Sequence, residues 1–85
     1  MVTYMKFLPL HKYLVIEKIY ENEDALENQS QFEKAKVIRV SREISIIKED
    51  DIIFIPSYSG DVYLEDNKIY YLVTIDEVVG KFKNE

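Results

Sequence analysis

The run Ile52-Ile53-Phe54-Ile55, closed by Pro56, constrains this chain more than any other feature. It is too short for a helix that must bury a face over several turns, and it is rich in β-branched residues. Length and branching together read as a strand, buried on both faces or closing a barrel. Pro56, which has no amide hydrogen for a sheet ladder, ends it. Similar short patterns recur along the chain. Tyr13–Lys18 is a strand that follows Pro9, and Lys36–Val40 and Glu43–Ile47 place β-branched residues among polar ones. Asp61–Glu65 and Lys68–Val73 are joined only by Asp66-Asn67, a strong local hairpin signal. Thr74 and Glu77 have the spacing of a capping box, which predicts one helical turn over Asp76–Val79, broken by Gly80. The sum is an all-β chain, a small and partly open barrel with one short helical turn near the C-terminus.

A chain of 85 residues holds material for one hydrophobic core, so residues 1–85 read as a single domain. Domains this small bury only about 60 % of the surface their unfolded chains expose, and many gain further stability from disulfides, metals or subunit contacts. The chain has no cysteine and His11 is its single histidine, which leaves oligomerisation as the remaining support. Sixteen acids against eleven bases give a net charge of −5, the wrong sign for neutralising a phosphate backbone. Lys34, Lys36, Arg39 and Arg42 form the one basic cluster, and they read as solvated strand edges. No apolar run approaches the roughly 20 residues of a membrane span. The segment Met1–Leu10 has neither a basic leader nor a small-residue cleavage site, so the expected location is the cytosol.

Between the first two strands, residues 20–35 lose the period of two and become polar, with Leu26 nearly alone as an apolar residue. This is a long polar loop, compatible with a helical turn from Asp24 to Gln31. Loops longer than about 12 residues in compact domains are functional or disordered more often than not, which keeps a binding role open. The other candidates have simpler explanations. His11 has no nucleophile signature beside it, and Glu49-Asp50-Asp51 lacks calcium-loop spacing and reads as a solvated turn. Tyr58, Tyr63, Tyr70 and Tyr71 could stack bases, but the negative charge favours core and subunit contacts. Nothing in the sequence assembles a catalytic or cofactor site.

Three stretches, in order, resemble the GroES co-chaperonin family. Pro9-Leu10-His11-Lys12 followed by Tyr13–Lys18 is similar to the family's opening pattern, and Lys36–Ser41 to its short valine-rich strand. Ile47–Phe54, with Asp51 and Phe54 retained and Tyr58 at the family's spacing, resembles the approach through Gly-Asp to an apolar run. From there Asp66-Asn67 falls on the family's hairpin turn and Thr74–Val79 on its short turn before the terminal strand. The resemblance implies a GroES-like barrel, a homo-oligomeric ring, heptameric in the family, and a GroEL-type chaperonin as partner. It also implies that the N-terminal strand of one subunit pairs with the C-terminal strand of the next.

The departures bear on function. The family's loop carries a glycine-flanked apolar tripeptide that docks on the chaperonin. Here residues 20–35 are shorter and have neither, which makes Asp24, Ala25, Leu26, Glu27 and Phe32 the expected chaperonin-binding positions, with Leu26 the best anchor. One apolar side chain contributes about 1.5–3 kcal/mol on burial, so a ring must multiply the contact. Ser41–Ile46 leaves no room for the family's roof hairpin, so the expected ring is an open annulus. Ser41, Asp50 and Ser59 replace glycines usual in the family, and the turns there are expected to differ. The competing expectation is a structural or assembly protein, of viral origin for instance, that keeps the barrel and ring without the chaperonin contact.

Overall fold

Alternation along β3 and the first part of β2, with a continuously buried run at Leu14–Ile16 of β1, builds the sheet of this protein. The computed structural model describes residues 6–19 and 31–83. Six strands are formed: β1 (Tyr13–Lys18), β2 (Phe32–Val40), β3 (Ile52–Pro56), β4 (Asp61–Glu65), β5 (Lys68–Thr74) and β6 (Gly80–Lys81). They make one open antiparallel sheet in the order β4-β5-β1-β2-β3-β6. This is the small, partly open GroES-like barrel that the sequence predicts.

Leu14 and Ile16 on β1, Ala35 and Val37 on β2, Ile53 and Ile55 on β3 and Val73 on β5 are fully buried on one face. Residues 41–51 and the turn after β5 fold over that face, with Ile47 buried and Ile44, Ile75 and Val78 packed against the cluster. Ile52 and Phe54 stay half-buried, so β3 alternates instead of being buried on both faces. The reason is its place in the sheet. β3 has only the two-residue β6 beyond it, so its outer side is partly open.

Three expectations from the sequence are corrected. The polar loop does not extend to residue 35, because β2 begins at Phe32 and residues 32–35 pair with β3 as Phe32↔Pro56 through Ala35↔Ile53. Glu33 and Lys34 look like loop residues, yet the ladder satisfies their backbone and their side chains find partners of their own. Glu33 faces Lys18 at 2.8 Å, and the Lys34 ammonium lies 5.0 Å from the centre of the Phe82 ring. Second, Glu43–Ile47 is not a strand: its isoleucines alternate, but the segment bridges β2 and β3 as irregular chain and drops Ile44 and Ile47 onto the core. Third, the helical turn lies one residue early, a 3-10 turn over Ile75–Glu77. The capping pair is formed: Glu77 Oε1 accepts from the Thr74 amide at 2.9 Å and its hydroxyl at 3.2 Å. Val78 and Val79 leave the turn because Val78 is drawn to the core and the Val79 amide donates to the Phe54 carbonyl at 2.9 Å.

The turns explain the residues that stand in for glycine. Asp66 and Asn67 both adopt positive φ, 52° and 66°, the backbone of a two-residue hairpin whose twist matches its strands. Asp50 adopts the left-handed conformation at φ 75°, one that glycine takes most easily. Ser41 and Ser59 do not have positive φ and are buried, so serine meets no backbone strain at either position.

The register of β2 carries one irregularity. Leu14↔Val40 and Val15↔Arg39 are followed directly by Ile16↔Val37, which leaves Ile38 as an extra residue. In a regular strand Val37 and Arg39 would share a face. The bulge moves Arg39 to the opposite face, beside the fully buried Val15, and turns Val40 toward the core.

Candidate functional site

Among the described residues, two surfaces offer binding potential, the β6 edge of the sheet and the N-terminal segment on its back face. At one end β6 pairs with β3 on one side only, as Ile53↔Lys81 and Phe54↔Gly80. Beside it runs an apolar groove of about 280 Å³ lined mainly by Ile46, Ile47, Ile75, Val78 and Val79. Ile46 and Val79 are largely exposed. Lys81 fixes the rim: its ammonium donates to the Ile46 carbonyl at 2.9 Å and lies 3.5 Å from Asp51 Oδ2. An open strand edge beside an apolar groove is a surface suited to accepting an extended segment by main-chain pairing.

The N-terminal segment is the complementary feature. Pro9 is buried, while its neighbours Leu8 and Leu10 are 62 % and 56 % exposed. The segment lies against the face opposite the main core. There the Arg39 guanidinium donates to the Phe7 carbonyl at 2.9 Å and to Glu65 Oε1, and the Phe7 ring contacts the Tyr63 ring at 5.0 Å. Tyr63 donates its hydroxyl to the same Glu65 oxygen at 3.1 Å. The Arg39 hydrogen bond holds the Glu65 carboxyl below its usual range, against the opposing effect of burial. Burial, then the bond to Glu65, raises the Tyr63 phenol. Arg39 is thus not part of a solvated edge. It is 5 % exposed on a strand flanked by neighbours on both sides.

The residues singled out from the sequence fall into separate places. Asp24, Ala25, Leu26 and Glu27 lie outside the described residues. Phe32 opens β2 and stacks on Phe54 at 5.4 Å, and Phe54 meets Phe82 edge-on at 5.6 Å, giving a partly exposed aromatic row on the outer side of the sheet. Pro9 and Leu10 belong to the N-terminal segment, and the Leu10 carbonyl accepts from the Tyr13 amide to start β1. His11 takes φ 60°, and both its amide and its Nδ1 lie 3.2 Å from Glu43 Oε2, a link across the chain at the surface. Asp51 Oδ2 accepts from the Lys48 amide at 2.8 Å and closes the turn into β3. Tyr58 is 87 % exposed, which corrects its assignment to the core; Tyr63, Tyr70 and Tyr71 are half-buried. The structure brings Pro9, Leu10 and His11 together and leaves Asp51, Phe54 and Tyr58 near β3.

Sequence reasoning missed the Arg39–Glu65–Tyr63 cluster. The one available signal was a charged residue inside the valine-rich pattern Val37-Ile38-Arg39-Val40.

Among the described residues, no group of three or more histidines, aspartates and glutamates is placed to hold a metal ion, and no helix is long and apolar enough to cross a membrane. The fold and its surfaces define a small all-β module whose distinctive features are strand edges and apolar contacts. The comparisons with known proteins place it further. The chain is 28 % identical over 86 residues to the co-chaperonin GroES of Campylobacter jejuni subsp. doylei, covering 93 % of this chain and all of that protein. The same identity and coverage hold for the co-chaperonin GroES of Campylobacter lari and of Campylobacter curvus. No protein-family profile matches the chain. The likeness spans nearly the whole chain at low identity, and it is to the GroES co-chaperonins that the chain is similar from end to end.

Proposed function

We propose that this chain is a co-chaperonin subunit of the cytoplasm that assembles into a ring and assists an ATP-driven GroEL-type chaperonin in protein folding. The observation that carries this reading is the end-to-end match, which covers all of each relative and 93 % of this chain. Two surfaces support the ring. The β6 edge with its apolar groove offers a place for an extended strand, and the segment holding Leu8 and Leu10 offers the strand. Phe32 is exposed at the start of β2, and Asp24–Glu27 with Leu26 as anchor would supply the contact with the chaperonin.

Sedimentation with a double-ring chaperonin, with and without ATP, tests the proposal. Nucleotide-dependent co-sedimentation of a ring-sized species is the expected result. A ring that never co-sediments removes the chaperonin from the function, and a persistent monomer removes the ring.

A further inference from the structure

The N-terminal segment is held in place by a cluster that neither the composition nor the family resemblance accounts for. Arg39 reaches the back face of the sheet only because Ile38 is bulged out of β2. Its side chain is 7 % exposed and its guanidinium forks between the Glu65 carboxylate and the main-chain carbonyl of Phe7. Glu65 is the last residue of β4 before the hairpin turn, and its Oε1 also accepts from Tyr63, whose ring contacts that of Phe7. One carboxylate oxygen therefore organises both holds on Phe7: the bond to its carbonyl, through Arg39, and the contact with its ring, through Tyr63. Arginine suits this position because its planar fork serves two acceptors at once, which a lysine ammonium on a flexible stem does not reproduce.

A strongly buried cation is costly to maintain unless its partners are all in place. Here they are Glu65 of β4 and Phe7 of the N-terminal segment, so the second terminal nitrogen of the guanidinium is partnered only when that segment lies down, while its Nε stays buried without a hydrogen-bond partner. With Phe7 fixed and Pro9 buried, Leu8 and Leu10 are turned outward together.

We propose that Arg39, oriented by Glu65, is a positioning residue for self-association: it fixes the N-terminal segment in the conformation that presents Leu8 and Leu10 to a second copy of this chain. The assembly half of this inference rests on the ring reading given above, while the latch itself does not. Binding by a segment already held in its bound form loses less conformational freedom than binding by a free one.

The test compares the wild type with Arg39→Met, which keeps the buried apolar stem, and Arg39→Lys, which keeps the charge without the fork. The rate of chymotryptic cleavage after Phe7 reads the latch, and cleavage after Phe54 within the sheet controls for unfolding. Sedimentation over a range of concentrations reads self-association. Arg39→Met is expected to speed cleavage at Phe7 and to weaken association, each about tenfold, with Phe54 still protected. Arg39→Lys should follow Arg39→Met more closely than the wild type. Should Arg39→Met fail to fold, Glu65→Gln removes the charge that orients the guanidinium and is expected to speed cleavage in the same direction. Unchanged cleavage at Phe7 overturns the latch. Faster cleavage with unchanged association overturns the assembly role. A wild type that stays monomeric overturns the ring reading instead, and the cleavage ratio still decides the latch.

Discussion

The Lys18 ammonium lies 4.1 Å from the centre of the Tyr71 ring, at the end of the core where β1 stops. The same nitrogen is 2.8 Å from Glu33 Oε1 and donates to the Ser57 carbonyl at 3.0 Å. Its side chain is 9 % exposed, so one cation plugs the open end of the barrel with three kinds of contact from β1, β2, β5 and the turn after β3. Lys18→Met keeps the apolar stem and strands the Glu33 carboxylate, and is expected to lower stability by about 2 kcal/mol in urea denaturation. Adding Glu33→Gln should recover part of that loss. A double variant no more stable than the single one removes the ion pair from the explanation.

Core packing gives the simplest gradation. Ile53 is fully buried between β2 and β6, and Ile53→Val is expected to cost about 1 kcal/mol and Ile53→Ala about 3 kcal/mol. Equal losses in the two variants, measured by denaturant midpoints, would mean that the site collapses around the smaller side chain.

The two glycines should behave oppositely. Gly60 has φ 90°, and an added Cβ would come within 2.7 Å of Cγ1 of the fully buried Val73, whereas nothing lies within 4 Å of the corresponding position at Gly80. Gly60→Ala is therefore expected to destabilise by about 2 kcal/mol, and Gly80→Ala to leave the melting temperature nearly unchanged.

Glu65 gives a pH dependence of defined sign. Its folded carboxyl titrates below the ordinary 4.5, first because Arg39 hydrogen-bonds to the charged form. The stability it contributes is fully present above pH 4.5 and is lost as pH falls through the lower folded value. Thermal melts of Glu65→Gln should accordingly depend less on pH below 4.5 than those of the wild type. Parallel curves would show that this carboxylate is not a source of acid sensitivity.

Leu26→Asp addresses the proposed chaperonin contact. The expected outcome is loss of ATP-dependent co-sedimentation with an intact ring, because a charge cannot occupy an apolar site at low cost. Retention of binding at wild-type strength moves the anchor elsewhere, with the exposed Phe32 the next position to vary.

Much of the framework was legible because it depends on local chemistry. β1, β3 and the β4–β5 hairpin follow from branched residues, Pro56 and Asp66-Asn67, and the Thr74–Glu77 pair marked its turn to within two residues. What was not legible depends on partners distant in sequence. Glu33 and Lys34 read as loop because their neighbours are distant in sequence, Lys18 at the end of β1 and Phe82 just after β6. Ile44 and Ile46 alternate like a strand, yet the segment is irregular and it is Ile44 and Ile47 that cover the core. Arg39 was invisible as a buried residue because strict alternation puts it beside Val37, and only a bulge separates them.

That bulge gives the strand in effect two reading frames, one for each half, with Ile38 as the junction between them. Facing is decided by odd and even positions, so drawing Ile38 into the ladder would turn every residue on one side of it by half a turn, aiming a guanidinium at the isoleucines or Val37 at solvent. Deleting Ile38 would leave Val37, Arg39 and Val40 in plain alternation opposite Ile16, Val15 and Leu14, each on the face it already has. Relatives of this chain can omit the residue at that junction more easily than they can straighten the strand around it.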